Sequence, residues 1–123
     1  MHTIPIKPIS VNESLASVNG RHVKTSVAKK YKRDLLLLLP RLKVPDGPLF
    51  LIIEFGFSSV LSDTDNCVKL FQDALAEKCG FNDRIIKAHF LDSKIVPKGS
   101  EYIKFDLVSY EVTGKVYAAI DSK

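Results

Sequence analysis

Two rhythms run through the apolar positions of this chain, one of period two and one near 3.6, and they divide it into strands and helices. Leu49-Phe50-Leu51-Ile52-Ile53-Glu54-Phe55-Gly56-Phe57 is apolar on both alternating sides, which predicts a central strand. Glu54 breaks that run and reads either as a half-buried ion-pair partner or as an acid belonging to a site. Glu101 to Val108 alternates, with Ile103, Phe105 and Leu107 inward and Tyr102, Lys104 and Asp106 outward. Arg84 to Val96 predicts another strand, its faces being Ile86, Ala88, Phe90 and Ile85, Lys87, His89, Leu91. Within it, His89 reads as a packing or surface residue. Between Ile4 and Ile9, Pro5 and Pro8 remove backbone donors, so a strand there belongs at a sheet edge. Val116 to Ile120 predicts a short last strand.

Helical spacing takes over in two places. The first helix starts at Thr25 or Ser26, either of which can cap it, and ends by Leu39 because Pro40 disfavours a helical residue before it. Val27, Tyr31, Leu35 and Leu38 form its expected core stripe. The leucines from 35 to 39 wrap more than one face, so some of them should meet a second surface. The second helix runs within Ser62 to Cys79, with Val68, Phe71, Leu75 and Cys79 on its apolar face and Asp65, Lys69 and Asp73 on a polar one. Asn12 to Gly20 reads as a loop, Leu42 to Pro48 as a turn-rich connector and Pro97 to Ser100 as a hairpin-like connection.

These elements predict a mixed sheet of four or five strands packed against two helices, an α+β (α/β-like) architecture in a single domain over residues 1–123. No apolar run approaches the ~20 residues that cross a bilayer, and the N-terminus carries no signal-peptide pattern. Cys67 and Cys79 lie too far apart on one helix to pair with each other, which suits a reduced, cytoplasmic protein. The net charge is +4, and its distribution says more than its size. Lys24, Lys29, Lys30, Lys32, Arg33, Arg41 and Lys43 fall within twenty residues, whereas acids gather between Asp63 and Asp83. A basic half beside an acidic pocket suits a protein that grips a phosphate backbone and holds a metal against it.

Asp63 and Asp65 stand at the start of the second helix, and Asp83 follows its end at Gly80. Singly, each has an ordinary explanation as a cap, a dipole partner or a turn residue. Together they form the oxygen-rich set a hard divalent cation takes, expected where the end of the central strand, the N-terminus of the second helix and the start of the next strand converge. Lys69, one turn beyond Asp65, can bring a cation to the same pocket. The sequence has no Cys/His or Ser/His arrangement for a covalent mechanism and no glycine-rich phosphate loop, so no nucleotide cofactor is expected.

The order Asp63-Thr64-Asp65-Asn66, Lys69, Asp73-Ala74-Leu75, Asn82-Asp83 resembles the signature of the RusA family of Holliday junction resolvases. The opening Pro8-Ile9-Ser10-Val11-Asn12, with Gly20-Arg21 and Lys24-Thr25-Ser26, is similar to that family's first segment. The resemblance covers Ile4 to about Val108. It implies an endodeoxyribonuclease that uses Mg2+, with Mn2+ as a substitute, to cut four-way junctions in recombination and repair. Asp63, Asp65 and Asp83 would be metal ligands and, with Lys69, the catalytic set; Asn66 and Asp73 would orient or support. Asn12, Arg21 and Lys24 would face DNA. Lys29, Lys30 and Arg33 either meet phosphate or form a solvated face. Paired cuts imply a homodimer, and the resemblance favours the leucine-rich helix as its surface. It further implies a bacterial or phage-encoded protein, often from a prophage. The chain departs from the pattern at Ser62, a position often basic in relatives, and in the turn before Asp83, which leaves Asn82 as its alternative. Two other classes stay open: a nuclease of broader taste for flaps and branched DNA, and a non-catalytic DNA-binding module.

Overall fold

A computed structural model of the chain describes residues 1–10, 15–18, 21–60 and 64–111, with only the backbone described for 15–18, 21–24, 64 and 65. The fold is α+β. Strands β1 (His2–Ile4), β4 (Leu49–Phe57), β5 (Ile86–Ile95) and β6 (Tyr102–Ser109) form one mixed sheet in the order β1-β6-β4-β5. Strands β2 (Leu15–Val18) and β3 (Arg21–Lys24) pair antiparallel as a separate ribbon. Helices α1 (Ser26–Leu38) and α2 (Thr64–Cys79) complete the architecture. Among the described residues no helix is long and apolar enough to cross a membrane.

β4 is the central strand that its two-sided apolarity predicts, antiparallel to β6 and parallel to β5. Its odd residues Leu49, Leu51, Ile53, Phe55 and Phe57 enter the core with Ile103, Phe105 and Leu107 of β6 and Phe71 and Leu75 of α2. Phe71 meets Phe105 edge-on, with ring centroids 5.1 Å apart. The even residues face the other side, where Glu54 lies. β1 sits at the sheet edge, as its neighbouring prolines require.

Thr25 caps α1 by accepting from the Ala28 N–H at 3.1 Å, and the helix stops before Pro40. Its core stripe is Ala28, Tyr31, Leu35 and Leu39, whereas Val27 and Leu38, expected inside, are about half exposed. Both sets satisfy helical spacing; hydrophobicity favours Val27 over Ala28, but it is the small side chain that enters the core. α1 is tied to α2 by the Lys32–Glu77 ion pair (2.9 Å) and by Lys78, whose ammonium donates to the Leu36 carbonyl at 2.6 Å.

Three further expectations are corrected. Part of the expected loop Asn12 to Gly20 is strand β2, which is too short for its alternation to stand out. Pro97 to Ser100 does not close a hairpin, because β5 and β6 lie on opposite sides of β4 and the connection crosses that strand's end. Finally, the register of β5 slips beside Leu49 and Phe50, so Ile86 pairs with Leu49 in the core while Ala88 and Phe90 turn to the opposite face. The expected strand Val116 to Ile120 lies outside the described residues.

Candidate functional site

Parallel pairing of β4 and β5 decides how the acidic motif is laid out. Leu49 stands beside Ile86 and Phe57 beside Ile95, so the end of β4 and the start of β5 are at opposite ends of the sheet. The expected three-way convergence is thereby corrected. A helix returning between parallel strands must run back along the sheet, and the chain after it then climbs alongside that helix. Asp83 consequently meets the middle of α2.

Asp83 is delivered by a 3₁₀ turn, Asp83–Ile85, that follows Gly80. Gly80 has φ +73°, a left-handed conformation that ends α2, and its N–H donates to the Ala76 carbonyl at 2.9 Å. Asn82 caps the turn by accepting from the Arg84 N–H at 3.0 Å. Its side chain is therefore spent on the backbone, and Asp83 is the one that turns to α2.

Lys69 is the hub. Its ammonium lies 3.0 Å from Asp73 Oδ1 and 3.3 Å from Asp83 Oδ2. The hydrogen bond from Lys69 is the main cause holding the Asp83 carboxyl below its ordinary value, while Asp73 and then Asp83 hold the Lys69 ammonium above its own. As stability these exposed contacts count for little; an i,i+4 pair such as Lys69–Asp73 contributes about 0.3–0.5 kcal/mol. Asp65 occupies the second residue of α2, one turn or ~6 Å along the axis from Lys69. Its side chain, and all of Asp63, lie outside the described residues. Among the described residues, no group of three or more His, Cys, Asp or Glu side chains is placed to hold a metal ion. The carboxylate oxygens of Asp83 and Asp73 are nevertheless of the kind Mg2+ takes, and both already share a cation.

Glu54 is separated from this cluster by the sheet. Its carboxylate accepts from the Tyr102 hydroxyl at 2.6 Å and pairs with Lys94 at 3.3 Å, which is the ion-pair role. Of the basic residues read as DNA contacts, Lys29, Lys30 and Arg33 are exposed on α1, Arg33 standing 3.8 Å from Asp34. Arg21 and Lys24 lie on β3 with only their backbone described, and Asn12 falls outside the described residues. Asn66 is half-buried on α2 beside the core residue Cys67.

Gln72 is absent from the sequence reading, and His89 enters it only as a packing or surface residue of its strand. Gln72 follows Lys69 by three on the same helix face, and its amide oxygen lies 2.6 Å from His89 Nε2 on β5. The spacing of Gln72 was a visible signal, whereas the position of His89 depends on the slipped register of β5. No protein-family model matches the chain, and no curated protein matches it.

Proposed function

We propose that this chain is a RusA-like, Mg2+-dependent endodeoxyribonuclease that nicks four-way DNA junctions as a homodimer. The observation that supports the reading most is the meeting of Lys69 with Asp83, fourteen residues apart in sequence, one helical turn from Asp65. Caps and dipole partners need no such long-range meeting. Asp83 and Asp65, with Asp63, would hold the cation. When bound, that cation supplies an activated water and neutralises charge on the scissile phosphate.

The chain's own contribution is electrostatic and positional. Lys69 rests on Asp83 and Asp73 through an exposed arm, so a phosphate entering beside them finds an ammonium within a side chain's reach. Asp73 keeps the arm near the site by pairing one turn along. Lys29, Lys30 and Arg33 offer phosphate contacts away from the cutting point, a sequence-independent grip suited to recognition of shape. Leu37 and Leu38, exposed at the end of α1, give the homodimer an apolar surface.

A second reading, a non-catalytic DNA-binding module, takes support from the fact that Lys69 already has two partners, which accounts for Asp73 and Asp83 as surface ion pairs. Cleavage of a labelled four-way junction with Mg2+ separates the two, with Asp65→Asn and Lys69→Ala beside the unmodified chain. Paired symmetric nicks that vanish in both variants, with junction binding kept, are expected. Binding without nicks under Mg2+ or Mn2+ favours the module, and equal cutting of flaps and junctions points to a nuclease of broader taste.

A further inference from the structure

Aspartate is a poor strand residue, because its short carboxylate competes with the ladder for backbone N–H groups. Two aspartates nevertheless stand inside strands of the main sheet, Asp92 in β5 and Asp106 in β6, and neither belongs to the core or to the acidic motif. β5 is an edge strand of ten residues, and among the described residues it pairs with β4 alone. Backbone N–H groups alternate sides along a strand, and the Val96 N–H donates to the Phe57 carbonyl of β4 at 2.7 Å. Ser93, three residues back, therefore points its N–H away from β4. There it donates to Oδ1 of Asp92 at 2.8 Å.

The opposite side of the sheet repeats the arrangement. β1 pairs with β6 no further than Phe105, so beyond it β6 has no neighbour on that side among the described residues. The Tyr110 N–H donates to the Pro48 carbonyl at 2.9 Å, toward β4, which turns the Leu107 N–H the other way. The Leu107 N–H donates to Oδ1 of Asp106 at 2.9 Å. At both stretches the aspartate thus occupies the outward donor of the residue after it. A strand added at either edge would need that donor for its own carbonyl and would find it taken. Open edges otherwise template pairing with another chain, and natural sheets blunt them. We infer that Asp92, with Asp106 on the far side, closes the sheet edges to a second copy of this chain, so that the β5 strand of that copy cannot extend the sheet. The guard is independent of the nuclease reading, and it agrees with a homodimer formed through α1.

Sedimentation of the full chain over a range of concentrations, joined to amide hydrogen exchange, tests it. Asp92→Ala releases the Ser93 N–H, whereas Asp92→Asn keeps an Oδ1 acceptor and removes only the charge. Asp92→Ala is expected to self-associate about tenfold more strongly than the unmodified chain, the worth of one hydrogen bond, with Asp92→Asn close to the unmodified chain. In the associated Asp92→Ala protein, the outward amides of His89, Leu91 and Ser93 should exchange more slowly than in the dilute one. Unchanged association of Asp92→Ala overturns the inference. Asp92→Asn associating as strongly as Asp92→Ala also overturns it, since the occupied N–H is then immaterial. Association that leaves those three amides unprotected does the same, because it uses another surface.

Discussion

Glu54 and Asp83 are both carboxylates held low by a hydrogen-bond donor, and both pair with a lysine, yet they are built differently. Glu54 is half-buried and has each oxygen engaged by a neighbouring strand, Tyr102 from β6 and Lys94 from β5. Both donors flank Gly56 in the sheet register, so their places are set by the ladder itself. Asp83 is presented by a short turn and takes its main donor from a long arm that also serves Asp73. A lowered pKa therefore does not separate the two roles. What separates them is the main donor. Glu54 keeps the Tyr102 hydroxyl, on a ring held by the sheet, even if the exposed Lys94 swings away. Asp83 takes its main donor from an exposed arm that can open to a ligand.

Charge removal at each carboxylate is the strongest way to break that contrast. Asp83→Asn should lower junction cleavage by about a thousandfold or more, since a bound cation contributes several kcal/mol to the transition state, while the unfolding midpoint stays put. Glu54→Gln should do the reverse, keeping cleavage and lowering stability by about 1–3 kcal/mol through its charge-assisted bonds. Urea unfolding and junction nicking on the same preparations check both. Loss of activity in Glu54→Gln at full occupancy of the folded state would place Glu54 in the site and defeat the distinction.

Gly56 tests the rigid side of the comparison. The Tyr102 ring lies directly over it, and a Cβ there would run into the ring. Gly56→Ala should therefore displace Tyr102, cost about 1–3 kcal/mol as an overpacked site and release Glu54 from its hydroxyl. In a Tyr102→Ala background most of that cost should disappear, because the two residues are in contact and their effects do not add. Equal costs in both backgrounds would mean that the glycine answers to something other than the ring.

Elements whose partner is implied by their own pattern were legible in the sequence. β4 had to be central because both its faces are apolar, and α2 had to bury Val68, Phe71 and Leu75, the large apolar residues that recur at helical spacing, which it does with Cys67 and Ala74 beside them. α1 was ambiguous by one position, since Val27 and Ala28 both fit the period and only packing into the core chooses. β2, expected as loop, is the converse: Asn19-Gly20 between two short segments is a strong mark of a hairpin and outweighs the weak alternation of its strands. Of the candidate site, Lys69, Asp73 and Asp83, which meet, were legible as residues of one motif and not as a place. Spacing alone cannot say that β5 runs parallel to β4, and it is this pairing that carries Asp83 to the middle of α2 and His89 to Gln72.

The finest test of the comparison is the pH dependence of a single hydroxyl. Tyr102 is pushed up to about 12 in the folded protein, chiefly by its bond to Glu54, from 10.0 in the ordinary case. A raised pKa contributes stability that is complete below the unfolded value and lost as pH rises through the folded one. Glu54 is lowered, chiefly by the same bond, so its share is present above the ordinary carboxylate value and lost as pH falls through the folded one. The bond is thus at full strength from above the carboxylate range to about pH 10. Tyr102→Phe should cost about 1 kcal/mol across that window, and its deficit relative to the unmodified chain should shrink at both ends. Lys69→Met in the same scan should show a small, nearly flat difference, because its pairs are exposed and screened. A deficit in Lys69→Met that matched Tyr102→Phe in size and in pH profile would mean that the Asp83 cluster is as closed as the Glu54 one, and its lysine would then be no freer to reach a phosphate than Tyr102 is.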